Sequence, residues 1–378
     1  MKSAFFSSVL SLISLVAAAQ QIPQTENIFI ITTDGFRWQE VFNGADSALI
    51  NNTDFVEDTS ISKQLYWNEE TEARRKMLMP FFWNVIAKKG QLYGNRLYGN
   101  RSNVANFYKI SYPGYNEIFT GYTDPRIIIN YPKKNPNTNI LEYLNNQEAY
   151  HDKVVAFSSW YVFPFILNKE RNGLPVNSGY ENMQTENSDT TFQLINKVQD
   201  NVVEKNHTRY DWLTFLNAKE YIEQHHPKIV FIGLGETDEY AHEAHYDKYL
   251  QHANAVDKMI SDLWYYVQTN SFYKNKTTFI ITTDHGRGKQ TFNWSNHSLF
   301  TTGSGQTWLA MIGPGIEPLG EMKEEQQIYQ KQIASTIANL LGQEFVSEHK
   351  VGKPISLPTV SSTNSTGNNL LTKVSLEK

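Results

Sequence analysis

The chain has 378 residues, a formal net charge of −5 and no cysteine. With 40% hydrophobic and 19% charged residues it can bury a core, which excludes wholesale disorder. The missing thiols exclude disulfides, thiolate metal sites and cysteine nucleophiles, and the lack of a basic surplus argues against general nucleic-acid binding. Any metal must therefore be held by His, Asp or Glu.

Lys2 is followed by an apolar run over 4–16 and by Ala17, Ala18 and Ala19. That is the pattern of a secretory signal peptide over residues 1–19. The run is short for a membrane span, and no later stretch reaches about 18 apolar residues. The mature chain is therefore expected to have no transmembrane span and to be secreted or periplasmic. Runs at Asn27–Thr33, 153–157, 228–234, 278–283 and 307–312 read as buried strands. Helical periodicity covers 190–199, 249–267 and 327–341, the last closed by Gly342. Strands alternating with helices predict an α/β fold, a largely parallel central sheet with helices on both faces. Segments 43–99 and 167–210 are long and polar, and are expected to be insertions building a cap on one catalytic domain over 20–357. Residues 358–378, rich in Ser, Thr and Asn, read as a flexible tail.

In such sheets ligands gather outside the carboxyl ends of the strands. The first run ends at Asp34, the run 228–234 leads into Asp238, and the run 278–283 ends at Asp284. Asp is an ordinary turn residue, which accounts for any one of these. It accounts less well for His242, four residues after Asp238, and His285, adjacent to Asp284. His297 comes shortly before the last strand. Three carboxylates and three imidazoles suit two zinc-like divalent ions with three protein ligands each. Two such ions about 4 Å apart serve phosphoryl transfer. His245 and His252 read as bystanders on the next helix, although His245 competes with His242 as a ligand.

Ser111 precedes Pro113 and Gly114, and a helix can begin at Tyr115. A hydroxyl at a helix N-terminus sees the positive end of the helix dipole, and a metal ion would lower its pKa further. An N-capping serine gives the same local pattern, and the segment alone does not separate the two. No Gly-x-Ser-x-Gly elbow and no Gly-Lys-Ser/Thr loop occurs, against a hydrolase-fold esterase and a P-loop enzyme.

Taken in order, these pieces resemble the alkaline phosphatase superfamily, and within it the type I phosphodiesterase/nucleotide pyrophosphatase-like branch. The resemblance runs from about Asn27 to Gly342. It rests on Thr33-Asp34-Gly35, Ser111-Tyr112-Pro113, Asp238-x-x-x-His242, Thr283-Asp284-His285-Gly286 and His297, then Gly313-Pro314-Gly315 and a closing helix. It implies that Asp238, His242 and His297 hold one zinc ion, and that Asp34, Asp284 and His285 hold the other. It implies that Ser111 reaches toward the metals, attacks phosphorus and forms a phosphoseryl intermediate. The family's Asp-x-x-x-His spacing selects His242 over His245. The function implied is a secreted, zinc-dependent hydrolase of small phosphate mono- or diesters.

Two departures accompany the resemblance. The branch carries Thr-Phe-Pro-Asn-His at the nucleophile, whereas this chain reads Ser111-Tyr112-Pro113-Gly114-Tyr115-Asn116. Gly114 replaces an oxyanion-binding Asn, and Asn116 is the candidate to take over that role. The sulfatase branch requires an Arg where Tyr115 stands. Sulfate ester hydrolysis, or silent binding on the same fold, are the alternative functions. Silent binding would entail a lost ligand or nucleophile, yet all seven positions are filled. A monoesterase would add a cationic clamp, for which Lys109, Arg101, Arg126, Lys169, Arg171 and Arg287 are candidates. An open groove near Trp160 and Tyr161 would instead favour diesters.

Overall fold

The computed structural model describes residues 25–184 and 189–358. The expected signal peptide and the tail beyond residue 358 lie outside the described residues. The strands are β1 (Asn27–Thr33), β2 (Gly90–Tyr93), β3 (Asn100–Asn103), β4 (Val154–Ser158), β5 (Val176–Ser178), β6 (Ile229–Leu234), β7 (Thr277–Thr282), β8 (Gln306–Thr307), β9 (Leu309–Ile312), β10 (Gly320–Glu321) and β11 (Gln326–Tyr329). Eight of them form one sheet in the order β10-β2-β9-β7-β1-β6-β4-β5, and β11-β3-β8 form a small second sheet. In the large sheet only β9 runs antiparallel to its neighbours β7 and β2.

The central strands are apolar on both faces because both faces are covered. Phe29 and Ile31 of β1 enter one core with Val230, Ile232, Phe279 and Ile281. Ile28 and Ile30 enter the opposite core with Ile229, Phe231 and Ile280. The first face is covered by the helices Asp211–His225 and Tyr246–Thr269. The second is covered by Ser111–Thr120, Ile140–Asn145 and Ile333–Leu340. This alternation produces the near-continuous hydrophobic runs of a buried parallel sheet. The expected α/β class is the one observed.

Several elements differ from expectation. The run 307–312 is two strands, split at buried Trp308, whose indole N–H donates to the Phe36 carbonyl at 2.9 Å. The single run therefore serves both sheets: β8 pairs with β3, and β9 pairs with β7. The helix expected over 327–341 begins only at Ile333, because Gln326–Tyr329 pairs in parallel with β3. Gln330 is buried and donates to Thr282 Oγ1 at 3.1 Å, which fixes the turn between strand and helix.

Segment 43–99, expected as part of a cap, supplies Leu49, Ile50, Leu78, Phe82, Trp83 and Ile86 to the first core and β2 to the main sheet. Segment 167–210 supplies edge strand β5 and the helix Thr190–Asp200, whose Phe192 and Ile195 pack with Leu213 in a small separate core. No described helix is long and apolar enough to cross a membrane.

One buried carboxylate ties segment 43–99 to the long helix. Asp257 accepts the backbone N–H groups of Phe81 at 2.7 Å and Phe82 at 2.8 Å, and its burial pushes the carboxyl up to about 7. Asp257→Ala would strand one buried and one partly buried donor and is expected to lower the unfolding free energy by about 2–4 kcal/mol. Asp257→Asn retains one acceptor and should cost about half as much. Urea titration of both variants measures this.

Candidate metal centre

Three strand ends build the centre. β1 is paired in parallel with both β6 and β7, so their carboxyl ends open at the same edge. Asp34 follows β1, and Asp284 and His285 follow β7; all three are buried. After β6 the helix Glu236–His242 carries Asp238 and His242 one turn apart, so both face the same side. That helix is anchored reciprocally. Asp211 accepts from the backbone N–H groups of Gly235 and Glu236, while the Glu236 side chain accepts from the Asp211 N–H. His252 Nδ1 lies 3.2 Å from Glu236 Oε2 in this supporting cluster, and His245 belongs to none of the ligand groups.

Two groups of donor atoms converge. In the first, His242 Nε2 lies 3.1 Å from Asp238 Oδ2 and 2.9 Å from His297 Nε2. Asp238, His242 and His297 thus form a set able to hold a metal ion. In the second, His285 Nε2 lies 3.4 Å from Asp34 Oδ1 and 3.5 Å from Asp284 Oδ2. The compact trio on this side is Asp34, Asp238 and His285, because Asp238 Oδ1 stands between the two groups. It is 3.7 Å from His297 Nε2 and 3.9 Å from His285 Nε2.

The protonation pattern fits cations. His285 Nδ1 bonds to the Gly286 carbonyl at 3.0 Å, and His297 Nδ1 to the Lys109 carbonyl at 3.3 Å. A carbonyl accepts only, so each Nδ1 carries the proton and each Nε2 turns a lone pair inward. Burial lowers both imidazoles below their ordinary range, keeping them neutral. Asp34 Oδ1 and Asp284 Oδ2 are buried and accept no hydrogen bond. Burial raises both carboxyls, Asp284 to about 7, and the Asp284 charge raises Asp34 further. Buried acceptors facing lone pairs are a poor arrangement without a positive ion among them.

Ser111 is the first residue of its helix and is buried, with Oγ 3.3 Å from His285 Nε2. Tyr115, one turn on, donates its hydroxyl to Asp34 Oδ2 at 3.1 Å. Lys109, two residues before the nucleophile candidate, is held at φ 57°, a left-handed conformation uncommon for a side-chain-bearing residue.

Asn116 does not join this group. Its amide donates to the Tyr122 carbonyl at 2.8 Å, and its oxygen accepts from Asn135 and Asn137 inside a buried network. The fourth residue of this motif cannot carry a donor either. A Cβ on Gly114 would meet the Asp284 carbonyl oxygen at 2.5 Å, so a side chain there would displace a ligand-bearing segment. The amide beside Ser111 instead comes from Asn130, which the sequence reading missed. Its Nδ2 is 3.5 Å from Ser111 Oγ, and its oxygen accepts the Tyr112 N–H at 2.8 Å. Asn130 approaches from the exposed side, nineteen residues away in a segment without periodicity, so no local signal marked it.

Most clamp candidates are engaged elsewhere. Arg126 pairs with Asp124, Arg171 with Glu142, and Lys169 with Glu181. Arg101 is exposed on β3 in the small sheet. Arg287 is buried and bound to Asp238. Lys109 lies two residues before the nucleophile candidate, and its Nζ donates to the Leu299 carbonyl at 3.5 Å. Trp160 packs on Phe163, and Tyr161 tilts over His207.

Residues 177–342 match the family model of the Metalloenzyme superfamily, a span that includes five of the proposed ligands but not Asp34 or Ser111. No curated protein matches the chain. Among solved structures, the wild-type alkaline phosphatase PafA is similar at TM-score 0.58 and 12% identity, covering 88% of this chain and 99% of that one. A sulfatase-like structure from Bacteroides thetaiotaomicron is similar at TM-score 0.55 and 12% identity, over 86% and 72% of the two chains. The lipoteichoic acid synthase LtaP from Listeria monocytogenes follows at TM-score 0.53 and 10% identity, over 85% and 73%. The fold is alkaline phosphatase-like, as in these structures. The resemblance drawn from the sequence agrees with that likeness of fold and with the family-model match over residues 177–342, and the ligand clusters fit divalent-metal use.

A pH dependence follows from the raised carboxyls. In metal-free protein the Asp284 contribution to stability is present below the ordinary carboxylate range and is lost as pH rises through about 7, and the raised Asp34 carboxyl acts in the same direction. Protons and metal ions compete for the same oxygens. The rise in thermal midpoint on adding a divalent ion is therefore expected to be larger at about pH 8 than at about pH 5. Scanning fluorimetry of chelator-treated and reloaded protein checks the trend.

Proposed function

We propose that this protein is a secreted or periplasmic metal-dependent phosphohydrolase that cleaves phosphate mono- or diesters through a phosphorylated Ser111. The observation that carries the reading is the position of Ser111 Oγ, at a helix N-terminus and 3.3 Å from His285 Nε2, beside two converging donor groups. In this reading Asp238, His242 and His297 hold one divalent ion, and Asp34, Asp284 and His285 hold the other. The all-oxygen-and-nitrogen donor set, with imidazoles on both sides, favours zinc. Two bound divalent ions would supply positive charge that favours the Ser111 alkoxide and an anionic substrate. Three aspartates and Arg287 would then leave the centre at about +2.

Ser111 Oγ forms a bond to phosphorus as the ester P–O bond breaks and the alcohol leaves with a proton. Hydrolysis of the seryl phosphate then restores the hydroxyl and releases inorganic phosphate, or a phosphomonoester when the substrate was a diester. The Asn130 amide donates to a phosphoryl oxygen lying next to Oγ. The Tyr115 hydroxyl holds Asp34 Oδ2, which orients the carboxylate and leaves Oδ1 for the ion. Tyr115 also occupies the position where the sulfatase motif carries Arg, which favours phosphate over sulfate esters.

Ser111→Ala is expected to lower turnover of para-nitrophenyl phosphate and its bis ester by about 1,000-fold or more, with metal content retained. Turnover of the sulfate ester alone would overturn the phosphate assignment. In this reading Lys109, two residues before Ser111 and not paired with a carboxylate among the described residues, is the candidate cation for the extra charge of a monoester. Lys109→Met should lower kcat/KM about 10-fold for the monoester and less than about 3-fold for the diester. Steady-state kinetics on one preparation read both.

A further inference from the structure

Arg287 has entered so far only as part of the net charge, yet it is a fully buried cation bonded to Asp238 within the ligand set. Its Nε donates to the Gly35 carbonyl at 3.1 Å. One terminal nitrogen donates to the Ser295 carbonyl, and the other to the Asp238 carbonyl at 3.2 Å and to Asp238 Oδ1. These four acceptors lie on three separate segments, each next to proposed ligands: Gly35 beside Asp34, Asp238 itself, and Ser295 two residues before His297. A buried guanidinium is tolerated only when its nitrogens find acceptors, and here each of the three does, on the segments after β1 and β6 and on the loop that carries His297. The fit leaves no slack. A Cβ on Gly35 would stand 2.6 Å from Asp238 Oδ1 and 2.9 Å from Arg287 Nε.

The consequence concerns Asp238, whose Oδ1 stands between the two donor groups, 3.7 Å from His297 Nε2 and 3.9 Å from His285 Nε2. An untethered carboxylate there would have an oxygen within reach of either ion. Arg287 engages Oδ1 and leaves Oδ2, 3.1 Å from His242 Nε2, as the free donor. We propose that Arg287 is a positioning residue that commits Asp238 to the ion shared with His242 and His297, and so keeps the two metal sites distinct. The proposal rests on the two-metal reading above. Its substance is a division of labour within one carboxylate: one oxygen for the guanidinium and the other for the metal.

The test is metal stoichiometry and release in the full chain, with zinc as the probe. Wild-type protein loaded with zinc should hold two ions per chain, released to a chelator in two phases. Arg287→Met should fold, keep one ion, and lose the other on desalting. Arg287→Lys keeps the charge without the fork and should hold both ions, with one phase of release about 10-fold faster. Equal weakening of both ions would mark Arg287 as a general scaffold residue and overturn the proposal. So would release at the wild-type rate from either folded variant, or failure of both variants to fold. A wild-type protein that binds no zinc would instead overturn the two-metal reading itself.

Discussion

The interior end of the sheet holds three carboxylates within a few ångströms of one another, and their mutual repulsion is the constraint around which the centre is built. The register imposes the crowding. Thr33 of β1 lies opposite Leu234 of β6, and Thr32 lies opposite Thr282 of β7, so the chain after each strand leaves the sheet at the same level. Asp34, Asp238 and Asp284 are delivered there by backbone pairing, with no choice left to the side chains. What surrounds them answers that negative charge. The Tyr115 hydroxyl and the Gly35 N–H donate to it, Arg287 neutralises part of it, and the imidazoles of His285 and His297 turn lone pairs toward the remaining space. Protons or divalent ions must supply what is left.

The central architecture was legible because burial on both faces writes itself into sequence as continuous apolar runs. β1 was read with its observed ends, and β4, β6 and β7 to within one residue. The charged residues at their carboxyl ends were legible for the same reason: a buried run that stops abruptly at Asp-Gly or Asp-His leaves little doubt about where the strand opens. The pairing of Asp238 with His242 suits helical spacing, but the choice of His242 over His245 came from the resemblance and its Asp-x-x-x-His spacing.

The remainder was illegible because it depends on contacts distant in sequence. β2, β3, β5 and β10 are two to four residues long, and are strands only because neighbours supply the partners. β11 lies within a stretch whose apolar spacing suits a helix, but pairing with β3 wins. Asn116 and Asn130 look alike in sequence; one is absorbed into a buried asparagine network, while the other turns toward Ser111. Gly114 read as a missing functional group, and in the fold it is a point of closest backbone approach to Asp284. Arg287 read as a free cation available to substrate because nothing local reveals that its partners lie on three different segments.

The peptide of Lys109 carries a consequence of its own. Its carbonyl receives the Nδ1 proton of His297, and the chain then runs through Ile110 directly into Ser111. A left-handed residue at this point has few neighbouring conformations to relax into. The tautomer of one proposed metal ligand and the location of the proposed nucleophile are therefore set by the same backbone turn. In the proposed reaction, disturbance of the loop around His297 would reach Ser111 through this peptide without passing through a metal ion.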